Sequence, residues 1–242
     1  LVVQSGGVDW LLSGKPAAGG GYEWNGRVTT SELAAQQAGR LVRWTDPLVA
    51  EFLVRRDQQN FVVDRLECRS SFLQATGSGT LDRLSATANL DLDRLAAELG
   101  QFFDLGGAKL AGRGSARLQW QRDAQQQFTA SVESKLVDFE WTRPEGMPWI
   151  ERELTAGANA TGRMNGVQLA RIDTATATLA AAGGAATVQL AGPVDAPRAA
   201  GVWPIDLRLQ GALEQWQPRL ALFVPLGDWS LAGQCDLIAV RL

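Results

Sequence analysis

The chain has 242 residues, a formal net charge of −3 and a sequence pI near 5.1, with 45% apolar and 20% charged residues. Such a composition folds, can bury a sizeable core, and lacks the basic excess of a nucleic-acid binder. Histidine is absent, which removes Ser-His-Asp and Cys-His catalysis, His-ligated zinc or haem, and the imidazole general base.

Taken in chain order, residues 1–40 read as N-terminal strands or part of a preceding repeat. The opening at Leu1, without Met or a leader-like segment, points to a piece of a longer protein. From Leu48 the period is two. Leu48, Ala50, Phe52 and Val54 oppose Val49, Glu51, Leu53 and Arg55, and Arg56–Asn60 reads as a turn. Thr76-Gly77-Ser78-Gly79 carries the composition of a second turn. Leu84, Ala86, Ala88 and Leu90 then share a face against Ser85, Thr87 and Asn89.

At Asp91 the period changes. Leu92, Leu95, Ala96, Leu99 and Phe102 recur at helical spacing, which predicts a helix over about 91–103, capped by Asp91 or Asp93 and stopped by Gly106-Gly107. Alternation returns with Ala116, Leu118 and Trp120, and after a turn at Arg122–Ala124 with Phe128, Ala130, Val132, Ser134 and Leu136. The uncharged stretch Thr174–Val194 is long enough to cross a bilayer but too rich in Thr and Gly, so it reads as two strands joined at Gly183-Gly184. Beyond a turn at Gly192-Pro193, Ile205, Leu207 and Leu209 form another apolar edge. A weaker helix follows over about 213–224, interrupted by Pro218, which is the alternative start.

The two helical segments are copies. Aligning Leu110 with Leu231, an offset of 121 residues, gives seven identities over the fourteen positions Leu99–Gly112. The expected fold is therefore mainly β with an α+β appearance: a long curved antiparallel sheet, built as a repeat β-groove, with two short helices. Its expected parts are the segment 1–40, a first unit over 41–125 and a second over 126–242.

Motifs for chemistry are wanting. Gly77-x-Gly79 and Gly112-x-Gly114 lack the third glycine of a dinucleotide loop, and Gly14-Lys15-Pro16 is no phosphate-binding loop. Asp91-x-Asp93 suits a helix cap better than a cation, since no further carboxylates follow at calcium-loop spacing. Asp57 with Asp64, or Glu151 with Glu153, are paired carboxylates with nothing to place them in one cleft. Cys68 and Cys235 read as two thiols rather than a bridge. The nine tryptophans, among them Trp24, Trp44, Trp120, Trp141, Trp203, Trp216 and Trp229, suit sheet packing, with some left to line an apolar or sugar-stacking strip. No catalytic, cofactor-binding or metal-ligating residue is expected.

The run Leu90-Asp91-Leu92-Asp93-Arg94-Leu95-Ala96-Ala97-Glu98-Leu99, followed by Leu110-Ala111-Gly112-Arg113-Gly114, resembles the AsmA-like proteins of the bacterial envelope, a superfamily that takes in TamB and the bridge-like lipid transfer proteins. It looks like the large versions in planctomycete-type bacteria, where strands like Trp44–Leu48, Arg55–Asp57 and Asp64–Glu67 precede such a helix. The likeness covers Arg43–Trp120 well, Phe128–Leu242 loosely and residues 1–40 little. It implies a non-enzymatic, periplasm-facing segment whose apolar groove carries phospholipid acyl chains or supports outer-membrane integrity. The implied inner-membrane anchor lies outside this chain, and neither cofactor nor nucleic acid is involved. The groove walls expected on this reading are Leu84, Ala86, Ala88, Leu90, Leu118, Trp120, Phe128, Val132 and Leu136, with the first helix as a lid or core plug. The competing expectations are a periplasmic or extracellular module that binds carbohydrate or a protein partner, and a scaffold whose apolar faces are all packed internally.

Overall fold

The computed structural model describes residues 2–17, 21–30, 33–37, 40–44, 46–57, 60–103, 105–144, 147–199, 202–221 and 229–239. Among these the chain forms seventeen strands and two helices, the described strand pairings are antiparallel, and the expected mainly-β class holds. Two compact units, Leu1–Arg117 and Leu118–Leu242, divide the chain within β10 (Lys109–Arg122).

The first unit holds a six-strand ladder in the order β9 (Arg83–Asp91), β8 (Leu73–Thr80), β7 (Asn60–Arg69), β6 (Val49–Asp57), β3 (Gly21–Thr30) and β2 (Val8–Ala17). A separate three-stranded sheet pairs β1 (Val2–Ser5), β4 (Leu33–Gln37) and β5 (Arg40–Trp44) in the order β1-β4-β5. Helix α1 (Leu92–Phe102) leaves β9 directly and packs on β5 and β9. The second unit orders β11 (Gln127–Thr142), β12 (Trp149–Asn165), β13 (Gln168–Ala181), β14 (Gly184–Leu190), β16 (Ile205–Ala212) and β17 (Gln234–Ala239). The short β15 (Val194–Asp195) pairs β13 to one side, and α2 (Leu213–Leu220) follows β16.

Register carries the sequence alternation across strands. In β9, Leu84, Ala86, Ala88 and Leu90 are half-buried while Ser85, Thr87 and Asn89 are exposed. Their partners on β8 are Gly79, Gly77, Ala75 and Leu73. Thus Thr76–Gly79, whose composition suggests a turn, is strand, and the reversal falls beyond it at Leu81-Asp82. The glycines are there for closeness: a Cβ on Gly79 would stand 2.0 Å from the Arg83 carbonyl oxygen, and its φ of +140° suits glycine alone.

Both helices are tied down in the same way. Asp91 caps α1 by accepting from Arg94 N at 3.0 Å, and Asp93 Oδ2 accepts from Gly112 N at 3.0 Å. In the second unit Glu214 Oε1 accepts from Gly233 N at 2.8 Å. Asp93 and Glu214, like Gly112 and Gly233, are separated by the 121-residue offset of the internal repeat. Both glycines have positive φ, +124° and +108°. Helix α2 starts at Leu213 and holds Pro218 in its interior. The missing N–H leaves the Glu214 carbonyl without its helical donor, and the helix ends two residues later. The expected continuation to 224 lies outside the described residues.

Candidate functional site

Nothing large is fully buried among the described residues; ten apolar side chains fall at or below 9% exposure. The reason is the disposition of faces. Along the second unit, successive registers join Val132, Ala158, Ala177, Val188 and Leu207 in one row, with Ala130, Ala160 and Ala175 in the next. Every member is apolar and most are alanine. The residues between them, Thr129, Ser131, Asn159, Thr161, Thr174, Thr176, Thr187 and Gln189, point the other way by the pleat. Thr161 and Thr174 there share a hydroxyl hydrogen bond of 2.7 Å.

Alanine makes the floor low. A trough of about 310 Å³ lies over it, lined by side chains from β11, β12, β13, β14 and β16 and bounded by Trp203. Its exposed lining is almost wholly apolar, because the polar residues contributing to it turn their side chains to the other face. Val132 and Val188, at 38% and 36% exposure, stand in its floor.

Bulky residues stand at both ends of the apolar face. At one, Phe128 stacks on Trp120 with ring centroids 5.0 Å apart, beside Ile172 and Val194, and Gly162 leaves room for the Phe128 ring. At the other, Leu136 pairs with Leu154 before the strands turn over at Asp138, whose φ is +51°. Beyond it Phe139 and Trp149 meet edge to face at 4.9 Å. Here α2 lays Trp216 and Arg219 into the sheet, each 4% exposed. Trp216 Nε1 donates to the Gln210 carbonyl at 3.0 Å, and Gly184 beneath leaves no space for a Cβ, which would stand 2.5 Å from Trp216 Nε1.

Arg219 pairs with Glu151, itself 5% exposed. Glu151 Oε1 accepts from Arg219 Nε at 2.8 Å and from Trp149 Nε1 at 2.9 Å, and Arg219 Nη2 stands 2.6 Å from it. The same Nη2 donates to the Ala182 carbonyl at 2.8 Å, while the guanidinium lies 4.7 Å over the Trp216 ring.

The first unit repeats the two-faced pattern with larger side chains. Trp24, Val54, Val63, Gly79 and Leu84 form one row, and Gly26, Phe52, Leu66, Gly77 and Ala86 the next. A register shift at Asp64 keeps Val63 and Leu66 on one side of β7. Phe52 covers Gly26, where a Cβ would meet its ring at 2.1 Å. The opposite face is a ladder of ion pairs, Lys15–Glu23, Arg27–Glu51, Arg55–Asp64 and Arg65–Glu67. Hydrogen bonding from Arg55 holds the Asp64 carboxyl below its ordinary range. Burial, with Asp46 nearby, pushes Glu98 on α1 up.

The expected groove residues fall into both units. Leu84, Ala86, Ala88 and Leu90 lie on the apolar face of the first. Trp120, Phe128, Val132 and Leu136 belong to the second, where Val132 reaches the trough and Phe128 and Leu136 stand toward its ends. Leu118 is 38% exposed. The alanines of β12 and β13 escape the sequence reading because Ala-Thr alternation carries little hydrophobic contrast. Of the paired carboxylates, Glu151 and Asp64 are held by arginines and Glu153 by Lys135, 2.7 Å away; the Asp57 side chain lies outside the described residues. Cys68 and Cys235 are free thiols. Among the described residues no helix is long and apolar enough to cross a membrane, and no three Cys, Asp or Glu side chains converge as a metal site. No family model matches the chain, and neither a curated protein nor a solved structure matches it.

Proposed function

We propose that this chain is a non-enzymatic, lipid-carrying segment of an AsmA-like protein of the bacterial envelope, offering its apolar sheet faces to phospholipid acyl chains on the periplasmic side. The observation that carries the reading is the alanine-floored trough of the second unit, about 310 Å³ and nearly free of exposed polar atoms. Apolar surface of this extent in water is unfavourable by roughly 25 cal/mol per Å², so it calls for a cover. An acyl chain suits a floor that offers no hydrogen bond, whereas a sugar would need polar partners beside the rings. Conduction along such a floor needs no reacting group, only a continuous apolar path with small differences in affinity. Attachment to a membrane is assigned to segments beyond this chain.

The test is native mass spectrometry and lipid extraction of the purified chain, with titration of a fluorescent phospholipid. Bound phospholipid is expected, and Ala177→Trp, which fills the trough, is expected to lower its occupancy. Val132→Arg, placing a charge in the floor, and Ala88→Arg, on the apolar face of the first unit, are expected to block binding or passage with moderate loss of stability. A chain that retains no lipid and binds none when it is added refutes the reading.

A further inference from the structure

Adjacent arginines on β6 point to opposite faces of the first unit. Arg55 lies on the charged face and is neutralised by Asp64. Arg56 lies on the apolar face, exposed, with its guanidinium 5.6 Å over the Phe61 ring and no carboxylate partner among the described residues. Register places Pro16, Tyr22, Arg56 and Phe61 in one row across β2, β3, β6 and β7. Tyr22 stacks on Trp24 at 6.0 Å and Trp24 on Phe61 at 6.3 Å. Tyr22 and Phe61 are 56% and 44% exposed.

This row is the rim of an apolar surface. Inward along β6, the residues on the same face as Arg56 are Val54, Phe52 and Ala50, flanked by Trp24, Val28, Val63 and Leu66. From Arg56 to Ala50 the strand runs about 20 Å, somewhat more than the ~15 Å of hydrocarbon in one bilayer leaflet. A cation with no carboxylate partner among the described residues, framed by two aromatic rings at the end of a path of acyl-chain length, matches an amphiphile with an anionic head.

We infer that Arg56, with Tyr22 and Phe61, seats the anionic headgroup of a lipid whose acyl chain lies along β6 toward Ala50. The inference rests on the acyl-chain reading above and adds to it a headgroup preference and a direction. The Arg56 guanidinium keeps its donors for the headgroup oxygens because its own face supplies no carboxylate among the described residues. The cations of the other face cannot substitute, since Lys15, Arg27, Arg55 and Arg65 are already paired.

The experiment titrates the chain calorimetrically with lysophosphatidylglycerol, lysophosphatidylcholine and a monoacylglycerol, all carrying one lauroyl chain, below their micelle concentrations. One basic side chain near an anionic head is worth about a fivefold change in affinity. The wild type is expected to prefer the anionic lipid by about that factor. Arg56→Gln is expected to abolish the preference, Arg56→Lys to keep most of it, and Arg65→Gln, which removes the same charge from the opposite face, to leave it intact. Free glycerol phosphate is expected not to compete, because the chain holds the ligand in place. Equal affinity for all three lipids, or a preference that survives Arg56→Gln, overturns this inference and leaves the acyl-chain reading standing. Failure of all three lipids to bind overturns both. Binding to intact phosphatidylglycerol vesicles without binding of the single lipids replaces the seat with docking on a membrane surface.

Discussion

The buried Glu151–Arg219 pair makes the sharpest quantitative prediction. Removing one partner leaves the other charge inside the protein. Glu151→Ala strips Arg219 of its carboxylate while the guanidinium, 4% exposed, keeps only the Ala182 carbonyl and the Trp216 face, and its Nη1 already lacks a partner. It also orphans the Trp149 indole N–H. Breaking a buried pair from one side costs about 3–5 kcal/mol, whereas replacing both members with apolar groups of similar size is often neutral. Coulomb attraction between the two does not set the size of this effect; the uncompensated charge does.

For a unit of this length each kcal/mol lowers the melting temperature by roughly 3–5 °C. Glu151→Ala is thus expected to melt about 10–25 °C below the parent, and Glu151→Leu with Arg219→Met to recover most of that loss. The assay is thermal unfolding followed by circular dichroism, with trough occupancy measured alongside. A loss under about 1 kcal/mol for Glu151→Ala, or a double variant no better than the single, refutes the reasoning and means that water reaches the pair.

Gly184→Ala is expected to destabilise by about 1–3 kcal/mol, since the new Cβ would stand 2.5 Å from Trp216 Nε1 and 2.7 Å from the Gln210 backbone oxygen, which cannot swing away. Gly26→Ala is expected to cost less, because its obstacle is the tip of the Phe52 ring; chemical denaturation of the two variants checks the order. Asp93→Ala and Glu214→Ala each remove the carboxylate that receives a glycine N–H after a helix, and lowered melting temperatures for both are expected in thermal scans. The Glu214 carboxyl is held below its ordinary range by the Gly233 N–H, and that of Asp64 by Arg55. Their contributions are present above the unfolded-state pKa and are lost as pH falls through the folded value, so Glu214→Gln should flatten the acid limb of a stability profile. Glu98 has the opposite sign: its raised pKa makes ionisation a cost above the folded value, and Glu98→Gln should stabilise at neutral pH relative to acid.

What was legible in the sequence follows the strength of local contrast. β9 and β11 announce themselves because Leu, Phe and Val alternate with Ser, Thr and Lys, and α1 because an aspartate cap precedes a 3.6-residue period. β8 was hidden because its close approach to β9 demands glycines, which locally look like a turn. The trough was hidden for a related reason. Alanine is the right size for a low floor but barely differs in hydropathy from the threonine beside it, so only the register of β12 against β13 shows that Ala158, Ala160, Ala175 and Ala177 converge. Glu151 and Arg219 lie 68 residues apart, and no local pattern announces a pair made by folding.

The internal repeat separates what is generic in this architecture from what is particular. Asp93 with Gly112, and Glu214 with Gly233, do the same work at equivalent positions: each holds the chain after a helix against that helix's first turn. Further along the helices an equivalent position reverses in charge, with Glu98 on α1 where α2 has Arg219. In the first unit the carboxyl is raised by burial beside Asp46, while in the second the arginine is neutralised by Glu151 and clamps α2 into the sheet. The apolar faces diverge likewise, Trp24 and Phe52 standing on one and a field of alanines on the other. A duplicated helix anchor therefore carries two different surfaces. If both faces accept acyl chains, they do so with different depth and grip, the bulky face offering a charged rim at Arg56 and the alanine face a smooth floor.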